Sequence, residues 1–353
     1  MVTTSCSQFS FSDDGGETWT NAVNGCQNGD HQTIFAGPPV SSSPIGYPNV
    51  VYHCALVVVT TGTDLASQCT KSLDGGVSWA VTGTPAFMPE PGQTGDGGVP
   101  GDCGGAHGHG IVDHRGWVYL PKGHCGQPHL AISRDEGLTW QQFQVADLGM
   151  PCCTYDSFDH EAGVGVDRDG TIYYAWVAGD RLPYLTVSHD DAATWSEPLM
   201  IGAPGLTEAS LGELTVGAPG RIAFAYMGTY DSPGEPWTGD YSDTPWHGFL
   251  MMSTDAASTD PTFYTATIND PRDRLMEGPC GPIRCGSIGD FIDVVIAPDG
   301  TPWAPYVEAC LGACWLFEDA PDSGNELVAG RLWGGPSLWD DVDPNGAYPG
   351  DGR

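Results

Sequence analysis

Two histidines separated by a single glycine, His107 and His109 in CGGAHGHG, are placed to do chemistry together. Residues two apart on a strand point to the same side, so both imidazoles would face one way. With His160 they make a set able to hold a divalent metal ion, a transition metal where imidazoles dominate. Polar clusters recur along the chain: Asp30-His31, Asp159-His160-Glu161, Glu213, and Asp290 with Asp293. Carboxylates facing one another across a gap can serve as acid and base, for glycoside cleavage or for proton abstraction from a uronate. Asp159, Glu161, Glu213 and Asp290 are the candidates for that role, and Asp30 and His31 for holding a ligand. Each has a structural alternative, a hydrogen bond that ties neighbouring strands or loops. The link PGEPWTGDYSDTPWHG at 233–248 offers Trp237, Tyr241 and Trp246. Exposed rings stack on sugar faces, whereas a loop capping a sheet would pack them away.

Strands must position these groups. The chain has 353 residues, with 50 Gly, 29 Pro and only 16% charged residues, a turn-rich and helix-poor composition. Short apolar runs such as TIYYAWVAG (171–179) and RIAFAYMG (221–228) read as strands. An eight-residue box recurs between them. SDDGGETW at 12–19 carries Asp14 and Trp19, and its copies carry Asp74 and Trp79, Asp135 and Trp140, Asp190 and Trp195. A fifth copy at Ser253, Asp255 and Ala257 lacks the tryptophan. One box holds too few oxygens for a calcium loop; its Ser and Asp suit a hydrogen-bonded turn and its Gly a left-handed residue. A second mark recurs between boxes: VDHRGWVYL, VDRDGTIYYAW, GAPGRIAFAY and APDGTPWAPY read as strand, tight Gly turn, strand. The unit is therefore a four-stranded antiparallel sheet, the blade of a β-propeller. The expected fold is all-β, one propeller domain over 1–353, with about six blades and five or seven as alternatives. The first blade is either incomplete or closed by the C-terminal strands. In a propeller, first strands line the central channel, so the polar clusters would meet at a channel mouth.

Charge and cysteines bound the partners. A net charge of −33 repels phosphates and anionic lipid, which argues against nucleic acid and membrane surfaces. It suits cation binding, a cationic partner, a high-salt habitat, or plain solubility. No transmembrane run and no signal peptide is present. The 12 cysteines include the couples Cys6 and Cys26, Cys54 and Cys69, Cys103 and Cys125, Cys280 and Cys285, and Cys310 and Cys314, and the adjacent Cys152 and Cys153. Without a zinc-type array these favour disulfides in an oxidising compartment, hence a mature secreted protein. Cys54 and Cys69 are expected across one hairpin.

The boxes resemble the Asp-box, or bacterial neuraminidase repeat, of sialidases and sialidase-like propellers. The segments GDHQTIFAGPP, YPNVVYHC, CGGAHGHG and GDFIDVVIAPDG are similar to secreted proteins described only as sialidase-like. The resemblance implies the propeller fold, and Arg284, just before a first strand, matches one arginine of the sialidase triad. No Arg-Ile-Pro motif is present, since Arg221-Ile222 runs into Ala223, and a three-arginine set is not visible. The expectation is thus a secreted, carbohydrate-active propeller, a glycoside hydrolase or lyase rather than a true sialidase, binding a carbohydrate or cell-surface glycan. The alternative is a non-catalytic binding propeller with a protein partner in a surface assembly. A divalent ion, calcium or a transition metal, is the one cofactor these residues could hold.

Overall fold

The computed structural model describes residues 7–27, 29–58, 65–88, 106–124, 126–147, 162–232, 243–278, 292–309, 325–332 and 334–340. Two compact units divide the chain, Met1–Val164 and Gly165–Arg353. The first holds the hairpin β1 (Ser7–Phe11) and β2 (Thr20–Gln27) and two four-stranded sheets. These are β3 (Asp30–Gly37), β4 (Val50–Val58), β5 (Leu65–Ser72) and β6 (Ala80–Val81), then β7 (Ile111–Val112), β8 (Val118–His124), β9 (Gln127–Ser133) and β10 (Gln141–Gln144). A third sheet follows, β11 (Gly163–Val166), β12 (Ile172–Val177), β13 (Pro183–Ser188) and β14 (Leu199–Met200). The second unit continues with β15 (Glu208–Val216), β16 (Ile222–Thr229), β17 (Pro245–Ser253), β18 (Tyr264–Thr267) and the short β19 (Met276–Glu277). It ends with β20 (Val295–Ile296), β21 (Pro302–Ala309) and β22 (Asn325–Arg331). Within each four-stranded sheet the strands pair in chain order, as meanders. Among the described residues five sheets have three or more strands, one fewer than the six expected and within the range of five to seven.

Burial grades across each sheet. The second strands β8, β12 and β16 are buried at every position, which is why VYL, IYYAWV and IAFAYM read as unbroken apolar runs. The outer strands β6, β10 and β14 are largely exposed. In the second unit Tyr173, Leu185, Phe224, Tyr226 and Phe249 fill one core, and Trp246, Leu250, Met252, Tyr306 and Leu338 another. The first unit packs Tyr52, Phe87, Leu120 and the Cys54–Cys69 disulfide, which joins directly opposed residues of β4 and β5.

Both recurring motifs are turns closed by a carboxylate. In the box at 72–79, Ser72 Oγ donates to Asp74 Oδ1 (2.8 Å) and accepts from Gly76 N (2.8 Å). Asp74 also accepts from the Ser78 amide (2.8 Å) and hydroxyl (2.6 Å). The copies at 12–19, 133–140 and 188–195 repeat this set. Ala192, in the glycine place, takes φ 71°. The fifth copy keeps Ser253 on Asp255, but Thr262 supplies the amide. The tryptophans differ: Trp79 is 9% exposed, but Trp19 is 65% exposed, so the first ring is not packed into a sheet. In the hairpin turns, Asp113 and Asp167 each accept from two turn amides and from a tyrosine hydroxyl, Tyr119 and Tyr173, at 2.9 Å. VDRDG is a hairpin turn.

Candidate functional site

In the His-Gly-His-Gly stretch the glycines are required by close approach. A Cβ on Gly108 would lie 1.9 Å from the Ala162 carbonyl oxygen, and one on Gly110 2.2 Å from the Phe35 ring. Gly108 donates to Pro121 O (2.9 Å) and Gly110 to Thr33 Oγ1 (3.2 Å), so the stretch is tied to β8 and β3. His107 lies opposite Lys122 in an isolated bridge, and both side chains are buried. Burial pushes the His107 pKa down to about 3, and the Lys122 charge adds to that. The ring is therefore neutral. Its Nδ1 lies 3.1 Å from Gly108 O, which can only accept, so Nδ1 carries the proton and Nε2 the lone pair. That buried Nε2 has no hydrogen-bond partner among the described residues. His31 and His109 are close enough to act on His107 electrostatically. Among the described residues no three His, Cys, Asp or Glu side chains gather as a metal set; His160 lies outside them.

Two first strands start with the same distortion. β3 bulges between Asp30 and Thr33, with His31 at φ 49°. β15 bulges between Ser210 and Gly212, with Leu211 at φ 50°. A left-handed residue other than glycine costs of order 1–3 kcal/mol, and such strain gathers where a side chain must be aimed. On β3 the bulge sets Asp30 Oδ1 to accept from the His31 amide (2.9 Å) and turns the His31 ring inward. On β15 it precedes Glu213, which is 6% exposed. Gly212 is needed there because a Cβ would meet the Phe224 ring at 2.6 Å. Glu208, at the head of β15, pairs with Arg181 (3.6 Å), both buried. Sequence reading missed this pair and both left-handed residues: Arg181 and Glu208 are 27 positions apart, and Leu211 is not a residue type that announces φ > 0.

Trp246 corrects an expectation. It is fully buried in the core, and its Nε1 donates to Gly278 O (2.8 Å). It packs β17 and is no exposed platform. Asp293 caps the Val294 amide (2.7 Å). Asp159, His160, Glu161, Trp237, Tyr241, Arg284 and Asp290 lie outside the described residues. So do Cys6, Cys103, Cys125, Cys280, Cys285, Cys310, Cys314 and the pair Cys152 and Cys153, as does the Cys26 side chain.

No family model and no curated protein sequence matches the chain. Solved structures do. A protein of unknown function from Dyadobacter fermentans matches with a TM-score of 0.54 at 15% identity, covering 89% of this chain and 80% of that one. The α-L-arabinanase of Penicillium chrysogenum, complexed with arabinobiose, matches with a TM-score of 0.51 at 13% identity, covering 92% and 84%. The NanB sialidase of Streptococcus pneumoniae aligns at 11% identity with a TM-score of 0.48 over 92% of this chain, which spans 62% of that enzyme. At these identities the likeness speaks to the fold, and it agrees with the sheets: the chain is an all-β propeller.

Proposed function

We propose that the chain is a carbohydrate-active propeller, a glycoside hydrolase or lyase in which Glu213 supplies one reacting carboxyl group. The observation that carries this reading is the strained bulge at 210–212, which spends conformational energy directly before a buried carboxylate. A buried carboxyl group suits proton transfer at a glycosidic oxygen or a sugar carbon. The second carboxyl group and a cation for the substrate come from the sequence candidates Asp159, Glu161, Asp290 and Arg284. The same fold in an arabinanase bound to arabinobiose supports saccharide chemistry on this scaffold. The Cys54–Cys69 disulfide and the even count of 12 cysteines support secretion.

The test is reducing-sugar release, and unsaturated-product absorbance, from a broad polysaccharide panel with the wild type and Glu213→Gln. Release that falls by about 10²-fold or more in a folded variant meets the expectation for a lost acid or base. Release unchanged by Glu213→Gln removes that residue from the chemistry. Saccharide binding without any release would leave the non-catalytic binding propeller.

A further inference from the structure

A cleft of about 400 Å³ opens on one face of the β15–β18 sheet, within the size range of small-molecule sites, about 300–1,000 Å³. Register explains its composition. Tyr226, Gly228 and Tyr230 alternate along and just beyond β16, His247 and Phe249 along β17, and Thr265 and Thr267 along β18. Residues two apart share a face. Phe249 pairs with Tyr226 on one side and Thr267 on the other, so these side chains meet. Phe249 forms the floor, stacked on Tyr226 at 5.0 Å. Gly228, opposite His247, makes room for it, since a Cβ there would lie 2.8 Å from the Phe249 ring. Ala203 and Pro204 close one wall, with Ala203 N held by the Tyr226 hydroxyl (2.9 Å).

The rim is polar and has fixed hydrogen-bond roles. Asn269 Oδ1 accepts from Gly248 N (3.0 Å), which turns its NH₂ group toward His247 Nδ1 (2.9 Å). His247 Nδ1 is therefore an acceptor, and its proton sits on Nε2 as a donor. Burial lowers the His247 pKa, Asp231 opposes that shift, and Arg274 adds to it, so the ring stays neutral. The Asp231 carboxylate has no side-chain hydrogen bond among the described residues, while its amide is held by Thr229 Oγ1 (3.1 Å). Tyr230 is 45% exposed and stands edge-on to Phe249 at 5.7 Å, held as a plate over the opening.

We propose that this cleft binds a neutral saccharide, with a sugar face against Tyr230 and ring hydroxyls on Asp231, His247, Thr265 and Thr267. A polyol both donates and accepts, which matches a carboxylate, an N–H and two hydroxyls around an aromatic plate. An acidic sugar is excluded. The cleft adds Asp231 to a chain of net charge −33, and the guanidinium that acts on His247, Arg274, is paired with Glu277. The inference takes its ligand class from the carbohydrate reading above and adds a second site and a charge preference, both read out by binding rather than turnover.

Calorimetric titration of the full chain tests it. The probes are neutral arabino-, xylo-, cello- and galacto-oligosaccharides, with sialyllactose and digalacturonate as the anionic arm. At least one neutral probe should bind, weaken at least tenfold with Tyr230→Ala, weaken several-fold with Asp231→Asn, and recover with Tyr230→Phe. Near-UV circular dichroism checks that the variants keep the native fold. Wild-type binding that neither Tyr230→Ala nor Asp231→Asn alters overturns the site and leaves the carbohydrate reading standing. An anionic probe bound more tightly than the neutral ones overturns the charge preference. No binding by any saccharide, together with no release, overturns both.

Discussion

The two units are built from one turn vocabulary but hold themselves together differently. Eight of the ten histidines lie in Met1–Val164. Burial lowers the pKa of His53 to about 4 and of His107 to about 3, and it also lowers that of His129. The same unit contains Glu136, a residue at φ 60° whose one carboxylate oxygen accepts from the amides of Val40, Ser41 and Ser42 (2.7–2.8 Å). Its other oxygen meets Lys71 (2.8 Å). Burial would raise the Glu136 pKa, but Lys71 and Ser42 outweigh it and hold it at about 2. Gly165–Arg353 relies instead on aromatic and methionine packing, with Trp246, Tyr306, Met227, Met251 and Met252 almost wholly buried. One unit is organised by polar groups at fixed protonation, the other by shape. The difference teaches where each is vulnerable, to acid in the first case and to lost volume in the second.

The largest expected effect lies in the second unit. Trp246→Ala removes a fully buried ring and leaves Gly278 O without its donor, so it should cost about 3–5 kcal/mol, read as a shift in the denaturant midpoint. A cost under about 1 kcal/mol would show that packing does not carry this unit.

Acid should act mainly on the first unit. An unfolded histidine takes up its proton near pH 6.5, but folded His53 waits until about 4 and His107 until about 3. Between these values the unfolded chain holds more protons, so stability falls as pH drops below about 6.5. Each histidine contributes up to ~1.4 kcal/mol per pH unit, roughly 3–4 kcal/mol together by pH 5. Hydrogen exchange at pH 7 and pH 5 should show β4, β5 and β8 losing protection before β12, β16 and β17, and the reverse order would break the comparison.

Next in size is the disulfide. Its closed loop spans a sequence separation of 15, for which the chain-entropy account gives about 3 kcal/mol. Loss of the bond, by Cys54→Ser or by dithiothreitol, should therefore lower the melting temperature more than any single box substitution does. The boxes come last. Asp74→Ala should cost about 1–2 kcal/mol, because its two oxygens hold a turn beside a buried tryptophan. The same change at Asp14, beside the exposed Trp19, should cost less; equal costs would mean that the turn alone, without its ring, sets the value.

Legibility followed distance along the chain. Each of the four full boxes closes its hydrogen bonds within eight residues, and each Asp-Gly or Pro-Gly hairpin within five, so sequence alone located them. Cys54 and Cys69 face each other because a hairpin of this register forces it. Trp246 was misread because it stands in a Gly- and Pro-rich link, yet the alternation His247, Phe249, Met251 against Trp246, Gly248, Leu250 already marks a strand buried on both faces. The cleft was not legible: its residues run from 203 to 271 and meet only through the register of three strands.

Hydrogen–deuterium exchange with and without a bound neutral oligosaccharide tests the central claim most directly, that this propeller handles saccharides and does so on the β15–β18 sheet. The account predicts slowed exchange at 203–207, 228–232 and 264–268, with little change at β4, β8 and β9. Slowed exchange confined to the first unit, or none with any saccharide at millimolar concentration, would contradict it.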